Sequence, residues 1–341
     1  MKEYFSRLLR LLPRKDSNQI YDIFSSLPPD ISSAAIINYR DEHGDTLVHH
    51  AARHHNIKAL RLFLELGGDA QAVNNHGRHP IHEAIDSREC VQELAKVCDV
   101  NCMKRGDWTP AMTAAMKGRL DIVELLISFG ADVNRVNRDG WNCLHLAIKE
   151  GHRDIAEYLL RISPECWKRK TRSGRLPIQT AALCGYTEIV RSILCLVKEK
   201  DRRMLLEEAD NSGMGLLHVA VAGGDLVLVK ELIERYELNV DIQDNTGRQP
   251  VHIAALTDQP KMIVLLMEHG AKLDARDQWD QSSPLHLAAR EGHIETVQVL
   301  LQLGVDSFAK DKFGRTALDL ARSWHRDAIS ELLSPVIEFT T

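Results

Sequence analysis

The sequence predicts an all-α solenoid of about nine helix-turn-helix units, with projecting hairpin loops and terminal capping helices. Three observations carry this. A much-varied phrase, Gly-x-Thr-Pro-Leu-His-x-Ala-Ala, returns nine times, most clearly at Pro284, Leu285, His286, Leu287, Ala288 and Ala289. Its last polar position falls at His49, His82, Met112, His145, Gln179, His218, His252, His286 and Asp319, in steps of 33, 30, 33, 34, 39, 34, 34 and 33 residues. After each phrase comes an apolar stripe at helical spacing, such as Ile122, Val123, Leu125, Leu126 and Phe129, or Val297, Val299, Leu300 and Leu301. Turn exits close the stripes, as at Gly67–Asp69, Gly130–Asn134 and Gly304–Asp306.

Residues 1–40 lack the phrase and predict an N-terminal helical cap or degenerate repeat, with helices at Tyr4–Leu12 and around Gln19–Ser25 closed by Pro28 and Pro29. The repeat array occupies 41–334. In the unit at 106–134, Thr109 caps a first helix and Pro110 takes its first position, where no backbone donor is needed. Ala114 and Ala115 admit a close neighbour, and Gly118 ends the helix. The 30-residue step reads as a shortened exit at 97–101, and the 39-residue step holds a charge run at 198–203 that reads as a solvated helix end. Pro260 reads as the start of a second helix. Arg322, His325, Arg326 and Asp327 suit the wetter face of a terminal unit, and 335–341 reads as a tail.

A period near 33 with this phrase resembles the ankyrin repeat. The resemblance covers about 41–334 and implies an interaction protein, because stacked helix pairs present a long surface, about 90 Å over nine units, instead of a catalytic cleft. Net charge of −5 argues against a general nucleic-acid or anionic-membrane binder. Seven cysteines without paired Cys-x-x-Cys spacing read as reduced thiols in a cytosolic or nuclear setting. The basic, amphipathic segment Met1–Leu12 lacks the apolar core of a secretion signal, and no stretch is long enough to span a bilayer. A monomer is the default expectation.

The sequence offers little sign of catalytic or metal chemistry. His49, His50, His54 and His55 are close together, but zinc needs three or four converging ligands, and His49 already belongs to the phrase; no metal and no cofactor is expected. Cys143 precedes His145 by two residues, yet both are explained by the repeat, and no phosphate loop or serine-nucleophile motif appears. A self-contained enzyme is not expected.

The tryptophans and cations carry more. Trp108, Trp141, Trp167 and Trp279 fall at or near hairpins, with Arg105, Arg135, Arg138, Lys168, Arg169, Lys170 and Arg172 in the same successive hairpins. They read either as local packing or as an aromatic, basic strip for an acidic partner. Segments 104–110, 137–142 and 164–168 resemble those of ankyrin-repeat proteins that bind alanyl-tRNA synthetase. That resemblance implies a synthetase partner, a role in limiting serine mischarging, and exposed lysines that accept misactivated serine. It makes Arg105, Trp108, Arg138, Trp141, Trp167 and Lys168 partner-binding candidates, with Lys168 and then Lys104 as candidate acceptors. Arg105 and Arg138 stand where that pattern has lysine, and arginine stays protonated. The competing expectation is a general interaction scaffold or substrate-receptor adaptor. No appended adaptor box is read after residue 334, which leans against the receptor.

Overall fold

The computed structural model describes residues 1–334, so the tail expected at 335–341 lies outside the described residues. The chain divides into two compact units, Met1–Arg172 and Ser173–Thr341. In the first unit, α1 (Lys2–Leu11), α2 (Ser17–Ser25) and α3 (Ser33–Ile37) precede four helix pairs. The pairs are α4 and α5 (Leu47–Arg53, Ile57–Glu65), α6 and α7 (Pro80–Glu83, Arg88–Ala95), α8 and α9 (Pro110–Met116, Leu120–Ser128), and α10 and α11 (Cys143–Lys149, Arg153–Ile162). A one-turn 3-10 helix, Cys166–Lys168, follows.

The second unit begins with α12 and α13 (Pro177–Leu183, Thr187–Leu196), then an extra helix α14 (Glu199–Glu207). Four more pairs follow: α15 and α16 (Leu216–Gly223, Leu226–Glu234), α17 and α18 (Pro250–Leu256, Pro260–Glu268), α19 and α20 (Pro284–Glu291, Ile294–Gln302), and α21 and α22 (Ala317–Ser323, Asp327–Leu333). Every phrase copy opens a helix, and the described residues contain no extended sheet, only one antiparallel bridge between Lys104 and Trp108. None of the described helices is long and apolar enough to cross a membrane.

Within each unit, first helices stack on first helices and second on second, as α4 on α6 and α5 on α7, or α17 on α19 and α18 on α20. The stripes read from the sequence supply the core: Ile122, Val123 and Leu126 are fully buried, as are Val297 and Leu300. Burying one such side chain is worth about 1.5–3 kcal/mol, and no repeat could do so without its neighbour. Phe129 is an exception, standing at the C-cap of α9 and 37% exposed. At the N-terminus α1 packs on α4 and α2 on α5, the places that a preceding repeat's two helices would take.

The phrase histidines bind successive repeats together. His49, His82, His218, His252 and His286 each accept, through Nδ1, the backbone N–H of the helix N-cap residue three positions earlier, at 3.1–3.3 Å. That acceptor role places the proton on Nε2. Nε2–H then donates forward to a carbonyl leading into the next repeat: Arg78, Trp108, Arg248, Ala275 and Arg315 respectively. Gln179 does the same with an amide, its Oε1 accepting from Leu176 N–H and its Nε2 donating to the carbonyls of Glu208 and Met214.

Two irregular steps resolve differently from the sequence reading. The 30-residue step arises mainly in the first helix: α6 has 4 residues where α4 and α8 have 7, and α7 has 8 where α5 and α9 have 9. Ser87 caps α7 two residues early, accepting from Cys90 N–H, so the loss is not confined to the exit. The charge run at 198–203 is not the solvated end of α13, which stops at Leu196. It is most of the separate helix α14, docked by buried Leu205 and by Arg202 Nε donating to the Leu194 carbonyl. Pro260 does open α18.

Close helix packing makes one substitution run against propensity. Gly223, the last residue of α15, has no room for a Cβ, which would lie 2.3 Å from the Ala182 carbonyl oxygen and 2.9 Å from that of Leu183. In a free helix glycine-to-alanine adds roughly 1 kcal/mol of stability. Here Gly223→Ala should instead destabilise by about 1–3 kcal/mol, because two backbones must separate. Urea melts of the two proteins check the sign.

Candidate partner-binding fingers

The hairpins between repeats share one design. A short polar side chain sits at the start of the tip and accepts the backbone N–H groups two and four residues on. Asn74, Asn137, Asp210, Asp244 and Asp311 all do this, at 2.8–3.1 Å; all are buried but Asp244, which is half-buried. A left-handed residue three positions after the cap turns the chain, as at Gly140 with φ +79. The third finger breaks both rules. Lys104 occupies the capping position, and Asp107, with φ +65, stands where most other tips have glycine, the tip at 277–282 turning instead at Gln281 with φ +54. Lysine has no acceptor, so the two cap bonds cannot form there; an antiparallel Lys104 N–H to Trp108 carbonyl bond of 3.0 Å remains.

Lys104 is half-buried, with its Nζ 5.5 Å from the centre of the Trp108 ring. Burial, reinforced by the nearby Arg78 and Lys117 charges, holds its ammonium below the usual lysine range. Trp141, 33 residues after Trp108, is equally half-buried, and Lys149 at the end of α10 covers its ring at 5.3 Å. Both tryptophans therefore stand in the same register on adjacent fingers, each faced by a lysine.

Trp167 does not join them. It stands 26 residues after Trp141 instead of 33, in the register of Val100 and Val133, which plug the finger bases at 6% exposure. Like them it is buried, at 3% exposure, and so offers no docking surface. Lys168 beside it is exposed, 5.2 Å from the Trp167 ring, with its ammonium 2.6 Å from the Glu165 carboxylate. Arg105 and Arg138 are exposed one residue after the cap, and the residue in that register on the fifth finger is Arg172, not Lys168. Trp279 is 69% exposed on a finger of the second unit.

The other chemistry considered in the sequence finds structural roles. Burial pushes the Cys143 thiol up to about 12, and the His145 ring caps its own helix with Nδ1 2.8 Å from Asn142 Oδ1. His49 is one of the linking histidines, and His50 Nε2 lies 2.8 Å from Asp41 Oδ2. Asp41, Asp45 and His50 bring their polar atoms within 4.8 Å of one another, but the Arg53 guanidinium sits 2.8 Å from Asp45. That network is an ion-paired joint between the first finger and α4.

Stacked helix pairs with protruding hairpins define a repeat protein of the interaction class. A family model described as ankyrin repeats in three copies matches residues 17–104, 86–170, 178–277 and 274–341, and the chain belongs to this family. It is 41% identical over 105 residues to Ankyrin repeat and SOCS box protein 6 of Homo sapiens, covering 30% of this chain and 24% of that protein. It is 30% identical over 313 residues to Transient receptor potential cation channel subfamily A member 1 of Homo sapiens, covering 85% of this chain and 27% of that one. E3 ubiquitin-protein ligase KEG of Arabidopsis thaliana is 32% identical over 120 residues, 35% of this chain and 7% of its own length. The chain thus spans about a quarter or less of the curated relatives it matches.

Proposed function

We propose that this ankyrin stack binds alanyl-tRNA synthetase through the basic fingers of its first unit and limits mischarging with serine. The observation that carries the reading is the pair of lysine-faced tryptophans, Trp108 and Trp141, beside Arg105 and Arg138, in segments that resemble ankyrin repeat domain-containing protein 16. Their positive charge suits an acidic face of the synthetase. Acyl capture follows from proximity: a neutral lysine amine attacks the seryl-adenylate carbonyl, an amide forms, AMP leaves, and the amine gives up a proton. Between the two acceptors, Lys104 is the better placed, since its depressed pKa leaves more amine neutral at pH 7. The ammonium of Lys168 must first leave Glu165.

Affinity purification from cells followed by mass spectrometry should recover the synthetase, and Arg105→Glu with Arg138→Glu should reduce recovery about 10-fold or more, each exposed charge contributing up to about 1 kcal/mol and reversal adding repulsion. Absence of the synthetase at high proteome coverage rejects this partner. Incubating the pair with serine and ATP should then yield seryl-Lys104 before seryl-Lys168; two unmodified lysines remove the capture step and leave the binding step standing. The similarity to Ankyrin repeat and SOCS box protein 6 favours a second reading, a substrate-receptor adaptor, which the same purification reveals as ubiquitin-ligase components in place of the synthetase.

A further inference from the structure

On a strand, residues either side of a given position point the same way, opposite to it. The residues at the capping position of fingers two, four and five, Asn74, Asn137 and Thr171, are buried, at 5–7% exposure, and Lys104 of the third is half-buried, while the flanking residues of all four are exposed. The residues just before the caps of fingers two to four form an apolar row: Val73, Met103 and Val136, exposed at 41%, 47% and 42%. The residues just after the caps of fingers three to five form a basic row: Arg105, Arg138 and Arg172, all exposed. In the second, sixth and seventh fingers the position after the cap holds an asparagine, and two of these tie their tip to the one before, Asn75 Nδ2 donating to the Glu42 carbonyl at 3.0 Å and Asn245 Nδ2 to that of Asn211 at 3.1 Å; the first, eighth and ninth hold Glu42, Gln278 and Lys312. Three consecutive fingers exchange that tie for arginine. The backbone still joins the tips, with Arg138 N–H donating to the Gly106 carbonyl at 2.9 Å and Arg172 N–H to that of Asp139 at 2.8 Å, so the row's pitch is fixed.

Charge is concentrated there. Residues 102–109, 135–142 and 165–172 carry eight basic and three acidic side chains, whereas the hairpin at 207–215 in the second unit carries none and three. Stacked helices repeat every 8–10 Å or so. A polyproline II segment returns to the same face every three residues, after about 9.3 Å. A β-strand would turn its third residue to the opposite face, and an α-helix would need about seven residues to cover the distance.

We infer that the two rows form a ledge for an acidic polyproline II segment of a protein partner, with a carboxylate at every third residue on the arginines and an apolar residue beside each on Val73, Met103 and Val136. The inference rests on the fingers being a protein-docking surface, as in the proposed function, and specifies the chemistry that they select. Three cations in fixed register reward spacing as well as net charge.

The test uses the full chain and a fluorescent peptide of three Glu-Pro-Leu triplets, against one of the same composition with its glutamates contiguous, in fluorescence anisotropy at low and moderate salt. The triplet peptide should bind about 10-fold tighter than the block peptide. Arg105→Glu, Arg138→Glu and Arg172→Glu together should weaken it about 30-fold or more, with a reduced salt slope. Met103→Ser with Val136→Ser should weaken it about 3-fold, and Lys230→Glu in the second unit should leave it unchanged. Unaltered melting curves establish that the variants fold. Equal affinity for the two peptides, no measurable binding of the triplet, or full binding by the triple variant would each overturn the ledge. Capture of the synthetase with peptide binding absent rejects the ledge alone; peptide binding with the synthetase absent rejects only that partner.

Discussion

Acidification from pH 7.5 to pH 5 should lower the stability of both units by several kcal/mol, well before most carboxylates protonate. The cause is the set of linking histidines, whose rings are neutral because burial opposes charge. Burial carries His82 down to about 3 and His252 to about 4, and lowers His49, His218 and His286 in the same direction. An unfolded histidine titrates near 6.5. Over this window the unfolded chain binds more protons than the native one, so stability is complete above pH 6.5 and drains away as pH falls toward the folded values. For His82 and His252 the loss at pH 5 is about 2 kcal/mol each. The carboxylates Asp45, held low by Asn74 and Arg53, and Glu83, held low by Arg53, each against the opposing effect of burial, add their loss only under about pH 4.5. His269 has the opposite sign, raised by the Leu265 carbonyl and Glu234, but it lies near the surface and works against the trend only weakly. Gln179 shows the remedy within the chain itself. Replacing His218 and His252 with glutamine should preserve the bonds and flatten the fall in urea midpoint between pH 7 and 5. An unchanged slope in that variant would falsify the histidine account.

The second large effect belongs to Phe63. Its side chain is fully buried in α5, and its ring meets Phe24 of α2 edge-on at 5.9 Å. Phe63→Ala should cost about 3–5 kcal/mol, the usual range for emptying an aromatic site. Because repeats contact only their neighbours, the damage should stay local. Hydrogen exchange should accelerate in α1–α5, where α2 loses its hold, and remain as before in α15–α22. Uniform acceleration throughout the chain would show that the N-terminal helices are not a separable cap. Tyr21, 60% exposed on the same helix α2, provides the comparison, and Tyr21→Ala should shift stability by less than about 0.5 kcal/mol.

The helix pairs were legible because each repeats its own instructions. Prolines at first helical turns, apolar stripes and the phrase histidine recur at one period, so an error in any copy is corrected by the others. The finger surface was only half legible. Trp108 and Trp141 keep that period, and both present a ring. Type and proximity group Trp167 and Lys168 with them, but counting back from the phrase puts Trp167 with the buried valines and gives the cation register expected of Lys168 to Arg172. Val73, Met103 and Val136 are not legible in the sequence because an exposed apolar residue has no local signature; its meaning comes from alignment with its counterparts across fingers. α14 was obscured for a different reason, since its first residues are so charged that only Leu205 signals a buried side.

The forward reach of the linking histidines gives each stack a polarity. Removing a repeat from the C-terminal side would strand an imidazole N–H, whereas removing one from the N-terminal side would leave only a carbonyl, the cheaper orphan of the two. At Asp319 the position is taken by a carboxylate that turns back to Thr316, accepting from both its N–H and its hydroxyl at 2.8 Å, and so asks nothing of a following repeat. Versions shortened from the front should therefore be tolerated far better than versions shortened equally from the back, which lose Asp319 and strand an imidazole N–H.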